Sequence, residues 1–150
     1  MNFSSEPHLV TDAALAEILV QLIRREPIFH RPEFGTTRAD FENMTTNDYW
    51  EVGASGRRYS RNYVLDMLEK RFQQDQSGDF WETSDFYCKR LGADVYLLTY
   101  TLLQFGVRKT RRSTIWQQTT EGWKIVYHQG TIVQETDDMP QPLRSRDAAL

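Results

Sequence analysis

The stretch DYWEVGASGRRYSRNYVL, Asp48 to Leu65, predicts a β-hairpin that leads directly into a helix. YWEV has the aromatic and β-branched residues of a strand, Ser55 and Gly56 can supply a tight turn, and RRY returns as the second strand. Ser60 then stands where a helix N-cap is expected. Leu65 and the apolar residues that follow it at helical spacing give this helix one apolar face.

Glu51 is the unusual residue of the first strand. Alternation places Tyr49 and Glu51 on one side of the strand and Trp50 and Val52 on the other. If the first side faces an apolar interior, burial raises the pKa of Glu51 and suits it to general acid or base catalysis, with Tyr49 as a ligand-binding neighbour. If that side faces solvent, Glu51 is a surface carboxylate that pairs with one of the hairpin's arginines.

Two helices are predicted before the hairpin. TDAALAEILVQLIRRE carries apolar residues at i, i+3, i+4, i+7 and i+8, and Thr11 is its expected N-cap. TTRADFENM predicts a second, short helix, in which Thr37 and Asp40 resemble a capping box. Asn47 and Asp48 are expected to stop this second helix.

Beyond Phe80 the apolar period changes from that of a helix to that of strands. The segments FWETSDFYCKRL, VYLLTYTLLQF, RKTRRSTIWQQ and WKIVYHQGTIV are joined by short turns, which predicts an antiparallel meander. Helices gathered before such a sheet predict an α+β fold with the helices on one face. Both faces of VYLLTYTLLQF are mostly apolar, so a dimer partner or a second packing layer is expected on the other face.

Composition narrows the class of protein. The chain of 150 residues is 39% hydrophobic and 26% charged, which predicts one globular domain, residues 11–133, between a flexible N-terminus, 1–10, and a polar tail or dimer arm, 134–150. A net charge of −3 argues against a nucleic-acid partner.

The single Cys88 cannot form an internal disulfide, and the first residues lack signal-peptide features, so a cytoplasmic location is expected. No apolar run suits a membrane span, and no metal-ligand spacing or cofactor motif is present.

Three strings in this sequence resemble the nuclear transport factor 2-like superfamily, which includes ketosteroid isomerase and the SnoaL-like cyclases. They are DYWEVGASGRRYSRNYVL, STIWQQTTEGWKIVYHQGT and RREPIFHRPEFGTTR, and the resemblance spans roughly Thr11 to Val133. They are most similar to a branch known as a domain of unknown function. The resemblance implies a cystatin-like α+β cone, in which a curved antiparallel sheet encloses a pocket closed by the first helix. It also implies a homodimer formed through the outer sheet face.

The last strands supply the other candidate residues. His128 and His30 are the plausible imidazole bases, because His8 lies in the predicted flexible N-terminus. Strict alternation groups Trp123, Ile125, Tyr127 and Gln129 on one side of the last strand, and His128 on the other. In families of this superfamily the end of this strand often contributes to the pocket, which makes Gln129 a candidate ligand contact. Tyr100 and Trp116 are expected near the same cavity.

The run RKTRR allows two interpretations. It is either a site for an anion or acidic substrate, or a charged strand entry that keeps a sheet edge soluble, and the second is favoured.

Three functions follow as hypotheses. The first is a homodimeric pocket protein that binds a small, partly apolar molecule. The second is an enzyme like ketosteroid isomerase or the cyclases, which transfers a proton next to a carbonyl with Glu51 or His128 as the catalytic base. The third is a protein–protein interaction module that uses the outer sheet face.

Overall fold

The computed structural model describes residues 5–74 and 80–134, and its helices and strands lie between Ala13 and Ile132. The helical elements are a 3-10 helix (Ala13–Leu15), α1 (Ala16–Ile23), a second 3-10 helix (Pro32–Phe34), α2 (Arg38–Met44) and α3 (Arg61–Arg71). The strands are β1 (Thr45–Val52), β2 (Arg58–Ser60), β3 (Trp81–Gly92), β4 (Val95–Gln104), β5 (Arg108–Thr119) and β6 (Gly122–Ile132). Most of the predicted tail, residues 135–150, lies outside the described residues.

The strands form one curved sheet in the order β2-β1-β6-β5-β4-β3. The predicted hairpin β1–β2 and the predicted meander β3–β6 are both present and antiparallel. The two units are joined by a pairing that the sequence pattern did not predict, because β1 runs parallel to β6. This pairing brings Glu51 directly opposite His128. The α+β prediction is confirmed.

Local capping signals predicted two of the helix starts correctly. The Thr37 side chain accepts a hydrogen bond from the Asp40 backbone N–H, and the Asp40 carboxylate accepts one from the Thr37 N–H. This reciprocal arrangement satisfies donors that the first turn leaves free. The Ser60 hydroxyl likewise accepts from the Tyr63 N–H and begins α3.

Two predicted boundaries were wrong. Asp12, and not Thr11, caps the first helical turn, while the Thr11 hydroxyl accepts a hydrogen bond from the Cys88 backbone N–H, 77 residues away. Asn47 and Asp48 do not stop α2, because the helix ends at Met44 and β1 begins at the next residue. Both errors have a tertiary cause, because Thr11 bonds to β3 and Asn47 and Asp48 belong to β1.

The helices pack on one face of the sheet, called here the inner face. Alternation along β4 is as predicted, since one side of this strand is almost fully buried. Buried side chains of β4 and of the three α-helices belong to one hydrophobic core. The helices contribute Leu22, Phe41, Leu65 and Leu68, and β4 contributes Tyr96, Leu98, Tyr100 and Leu102. The outer face is less covered, and Trp50 on β1 is 43% exposed. Among the described residues no helix is long and apolar enough to cross a membrane.

Candidate functional site

Glu51 lies on the inner face of β1, on the same side as Tyr49, so of the two alternatives left open by the sequence the structure has the interior one. Its neighbour Tyr49 is 2% exposed, and the Tyr49 hydroxyl donates a hydrogen bond to Glu51 Oε1. Burial raises the pKa of Glu51, while the hydrogen bond from Tyr49 and the positive charges of Arg112 and Arg71 act in the opposite direction. Burial, followed by the negative charge of Glu51, raises the pKa of Tyr49 well above its usual range. The pair therefore presents a carboxyl group that can hold or accept a proton.

A cavity of about 550 Å³ opens beside this carboxyl group. α3 forms one side of it. The apolar and aromatic part of the lining includes Phe29, Tyr59, Val64, Met67 and Leu68, and the polar part consists of Glu51, Lys70, Arg71 and Gln74. The Arg71 guanidinium also donates a hydrogen bond to the Phe29 carbonyl, which fixes the end of α3 against the loop after α1. The cavity thus combines an apolar wall with a small number of charged groups, which is typical of ligand sites.

Phe29 separates this cavity from a smaller one. The smaller cavity, about 190 Å³, is lined by Trp116 and Trp123, which lie at the far end of the β5–β6 hairpin. Trp116 therefore lines the smaller cavity and is not part of the lining of the cavity beside Glu51, where it was expected.

Glu26 is a buried carboxylate that the sequence pattern did not reveal. It is fully buried after the end of α1, where Oε1 accepts hydrogen bonds from the Tyr100 hydroxyl at 2.6 Å and the Ile28 N–H at 3.1 Å. Its Oε2 accepts one from Trp116 Nε1 at 3.0 Å. Burial raises the pKa of Glu26, and hydrogen bonds from Thr114, Tyr100, Trp116 and Ile28 oppose that shift. In sequence, Glu26 follows two arginines and looks like an ordinary helix end; Pro27 directly after it was the only local signal.

The Tyr100 hydroxyl and Trp116 Nε1 both donate hydrogen bonds to Glu26. Both were predicted as ligand contacts, and both face the interior as expected from alternation on β4 and β5. Their polar atoms, however, are already used in hydrogen bonds to a single carboxylate. Glu26, Tyr100 and Trp116 thus form a hydrogen-bonded cluster in the interior of the domain.

His128 lies on the inner face of β6 and is 3% exposed. Its Nδ1 is 2.7 Å from Thr114 Oγ1, and its Nε2 is 3.4 Å from Arg112 Nη1. Because a guanidinium can only donate, Nε2 is the acceptor and the ring proton lies on Nδ1, directed at the threonine oxygen. Burial and the nearby positive charge of Arg112 lower the pKa of His128 to about 3. The imidazole is thus neutral, with both nitrogens occupied, and it supports Arg112.

Gln129 lies on the outer face because of a β-bulge in β6. Ile115 pairs with Tyr127 whereas Trp116 pairs with Ile125, so Val126 is an extra residue without a partner in β5. The bulge reverses the alternation: Trp123 and Ile125 are buried before it, and His128 and Gly130 after it. The prediction that Trp123, Ile125, Tyr127 and Gln129 share one side was wrong. Gln129 is exposed, and its Oε1 accepts a hydrogen bond from the Tyr127 hydroxyl at 2.7 Å.

The RKTRR run does not lie at a sheet edge, since β5 is placed between β4 and β6. Alternation sends its two last arginines to opposite faces. Arg111 points outward and forms ion pairs with Glu6 and Asp85 at 3.0 and 3.3 Å. Arg112 is half-buried on the inner face, and its Nε donates to Thr110 Oγ1 at 2.9 Å. The interpretation of the run as a charged sheet edge was therefore wrong, and Arg112 in particular faces the interior.

His30, the other candidate base, lies in the loop after α1 and is half-buried. Burial and the positive charges of Arg71 and Arg112 lower its pKa to about 4. Within residues 5–74 and 80–134, no three His, Cys, Asp or Glu side chains are grouped as a metal site.

Comparison with known proteins identifies the fold. No protein-family model matches the chain, and no curated protein is significantly similar to it. Solved structures do match. A protein of unknown function from the DUF3225 family of Pectobacterium atrosepticum is 18% identical, with a TM-score of 0.60 over 82% of this chain and 94% of that one. An NTF2-like protein from Cytophaga hutchinsonii is 11% identical, with a TM-score of 0.58 over 82% and 100% of the two chains.

A candidate ketosteroid isomerase from Parabacteroides distasonis is 16% identical, with a TM-score of 0.59 over 85% of this chain and 97% of that one. At these identities the likeness shows the fold alone. This chain has the nuclear transport factor 2-like, cystatin-like fold, and the resemblance found in its sequence is confirmed at that level.

Proposed function

We propose that this protein binds a small, partly apolar molecule in the cavity between α3 and β1. The observation that carries the proposal is the position of Glu51: a carboxyl group, hydrogen-bonded by Tyr49, at the wall of a cavity of about 550 Å³ that combines apolar and aromatic side chains with Lys70, Arg71 and Gln74. A volume of this size suits a small organic molecule, and a few polar groups in an apolar wall orient such a ligand.

Blocking the cavity tests this proposal. Met67 lines it and is 45% exposed, so Met67→Trp is expected to narrow the opening without disturbing the core. Asn62→Trp is the matched control, because Asn62 is exposed on α3 and is not part of the lining. In a thermal-shift screen of small amphipathic compounds, a ligand should stabilise the wild type and Asn62→Trp but not Met67→Trp. If no compound stabilises the wild type, or if every hit also stabilises Met67→Trp, the proposal fails.

A second candidate is an enzyme that transfers a proton next to a carbonyl group. It is favoured by the environment of Glu51, where burial raises the pKa of a carboxyl group that lines a cavity. The expected result is that the protein accelerates exchange of the α-hydrogens of a bound ketone with deuterated water, followed by NMR. Glu51→Gln should retain binding of the ketone and lose the exchange. Equal exchange rates in both proteins would exclude Glu51 as the base.

We also propose that two copies pair through the outer sheet face. Trp50 is exposed on that face, and Leu97, Leu103 and Ile115 are only half-buried there. Covering these side chains would remove apolar surface from water. Analytical ultracentrifugation of the wild type and of Leu97→Glu tests this, since a charge on the paired face should yield a monomer. A wild-type monomer at high concentration would contradict it.

A further inference from the structure

We infer that the ligand of this cavity is an anion, most simply a carboxylate on an apolar body, and that Arg112 binds it through the guanidinium edge. This inference rests on the proposed function, because it names the chemical class of the molecule that enters the cavity beside Glu51.

The first supporting observation is the position of Arg112 in the sheet. On the inner face, Arg112 pairs with Gly130 of β6, and Glu51 of β1 lies opposite His128, two residues earlier in β6. A Cβ atom added to Gly130 would lie 3.1 Å from Arg112 Cζ and 3.2 Å from its Nη1. The guanidinium therefore lies over the Gly130 backbone, where the Cβ atom of any other residue would come close to it. Arg112 is not part of the cavity lining, in which Lys70 and Arg71 are the cations, but its charge acts on Glu51, which does line the cavity.

The second observation is that the sheet holds this guanidinium from one side. Nε donates to Thr110 Oγ1 at 2.9 Å, and Nη1 lies 3.4 Å from the acceptor nitrogen of His128. His128 is in turn fixed by Thr114. Nη2 makes no hydrogen bond to any of the described residues. With Nε and one N–H of Nη1 engaged, the end of the guanidinium formed by Nη1 and Nη2 still has N–H groups for a planar anion, for which a carboxylate has the matching geometry.

The third observation is charge. Within the described part of the chain, Arg112 has no carboxylate within 4.0 Å, although it is half-buried. The two interior carboxylates that act on it are engaged elsewhere: Glu26 by Tyr100 and Trp116, and Glu51 by Tyr49. A half-buried positive charge without a close counterion is unfavourable, and an anionic ligand would supply that counterion.

Glu51 would at the same time select among anions. An ionised Glu51 close to a bound carboxylate is repulsive, whereas a protonated Glu51 can donate a hydrogen bond to it. Removing the negative charge by Glu51→Gln is therefore expected to tighten carboxylate binding, and removing the positive charge of Arg112 is expected to weaken it.

The test compares phenylacetate with phenylacetamide, which has the same shape without the charge, by isothermal titration calorimetry. Wild-type protein should bind the carboxylate about tenfold more tightly than the amide, or better. Arg112→Gln should abolish that preference. Arg111→Gln, the same change one residue away on the outer face, should keep it. Arg112→Lys keeps the charge and loses the planar edge, so it should show a reduced preference, and it replaces Arg112→Gln if that variant does not fold.

Failure of this inference is distinguishable from failure of the proposed function. If phenylacetamide and phenylacetate bind equally well and Met67→Trp blocks both, the cavity binds ligands but the anion site is refuted. If Arg112→Gln retains the wild-type preference for the carboxylate, Arg112 is not the anion-binding residue. If neither probe nor any screened compound binds, both proposals fail.

Discussion

Replacing Tyr100 by Phe removes one hydroxyl group from the buried carboxylate of Glu26 and changes little else. The bond between them is 2.6 Å long, within the range of hydrogen bonds from a hydroxyl to an ionised carboxylate. Hydrogen bonds to charged groups contribute about 1.5–3 kcal/mol, more than those between neutral groups. We therefore expect Tyr100→Phe to lower the free energy of unfolding by about 2 kcal/mol, or the melting temperature by about 4–8 °C for a domain of this size.

The matched control is Tyr96→Phe. Tyr96 lies on the same face of the same strand and is 4% exposed, but its hydroxyl makes no hydrogen bond to any of the described residues. Its removal should change the free energy of unfolding by less than about 0.5 kcal/mol. Chemical denaturation followed by circular dichroism measures both variants.

The pH dependence of the stability lost in Tyr100→Phe distinguishes a missing hydrogen bond from a change in packing. Glu26 has a raised pKa, so acidification converts its carboxylate to the neutral acid while the protein is still folded. The loss of stability caused by Tyr100→Phe should therefore become smaller as the pH is lowered, because a neutral acceptor gains less from the hydroxyl. Equal losses of stability for Tyr100→Phe and Tyr96→Phe across the whole pH range would refute the reasoning about Glu26.

Further predictions concern His128, the α2 cap and Gly130. The pKa of His128 is about 3 in the folded state, below the unfolded value of about 6.5. On acidification the unfolded state therefore takes up a proton first. The free energy of unfolding should fall by up to about 1.4 kcal/mol per pH unit below about pH 6.5. His128→Asn should flatten that dependence in denaturation curves, whereas the exposed His8→Asn should leave it unchanged. Thr37→Ala removes the helix cap and should cost about 1 kcal/mol, while Thr37→Ser should cost much less. Gly130→Ala places a Cβ against the Arg112 guanidinium and should lower the preference for phenylacetate over phenylacetamide in calorimetry; an unchanged preference would show that the guanidinium does not need this space.

Much of the local structure followed from the sequence because the interactions that form it lie within a few residues of one another. The capping box of α2 joins Thr37 to Asp40, and the cap of α3 joins Ser60 to Tyr63. Alternation along β1 likewise placed Tyr49 and Trp50 on opposite faces correctly. Each of these features is decided by short-range sterics and hydrogen bonds.

The bulge at Val126 shows where this reasoning ends. Alternation is reliable only while a strand stays in register, and one extra residue reverses every side chain that follows. No residue around Val126 signals the reversal, because the bulge is defined by the partner strand β5. Because of this reversal, His128 faces the interior as Trp123 does, and Gln129 faces outward.

Residues that are close together in the chain were enough to specify the α+β class, the hairpin, two of the helix caps and the grouping of Tyr49 with Glu51 on one side of β1. The candidate site, in contrast, depends on contacts between distant parts of the chain. Glu26 meets Tyr100 and Trp116 across 74 and 90 residues of chain, and Glu51 lies opposite His128 only because β1 pairs with β6. Such contacts depend on how the whole sheet closes, and no short stretch of sequence encodes that closure.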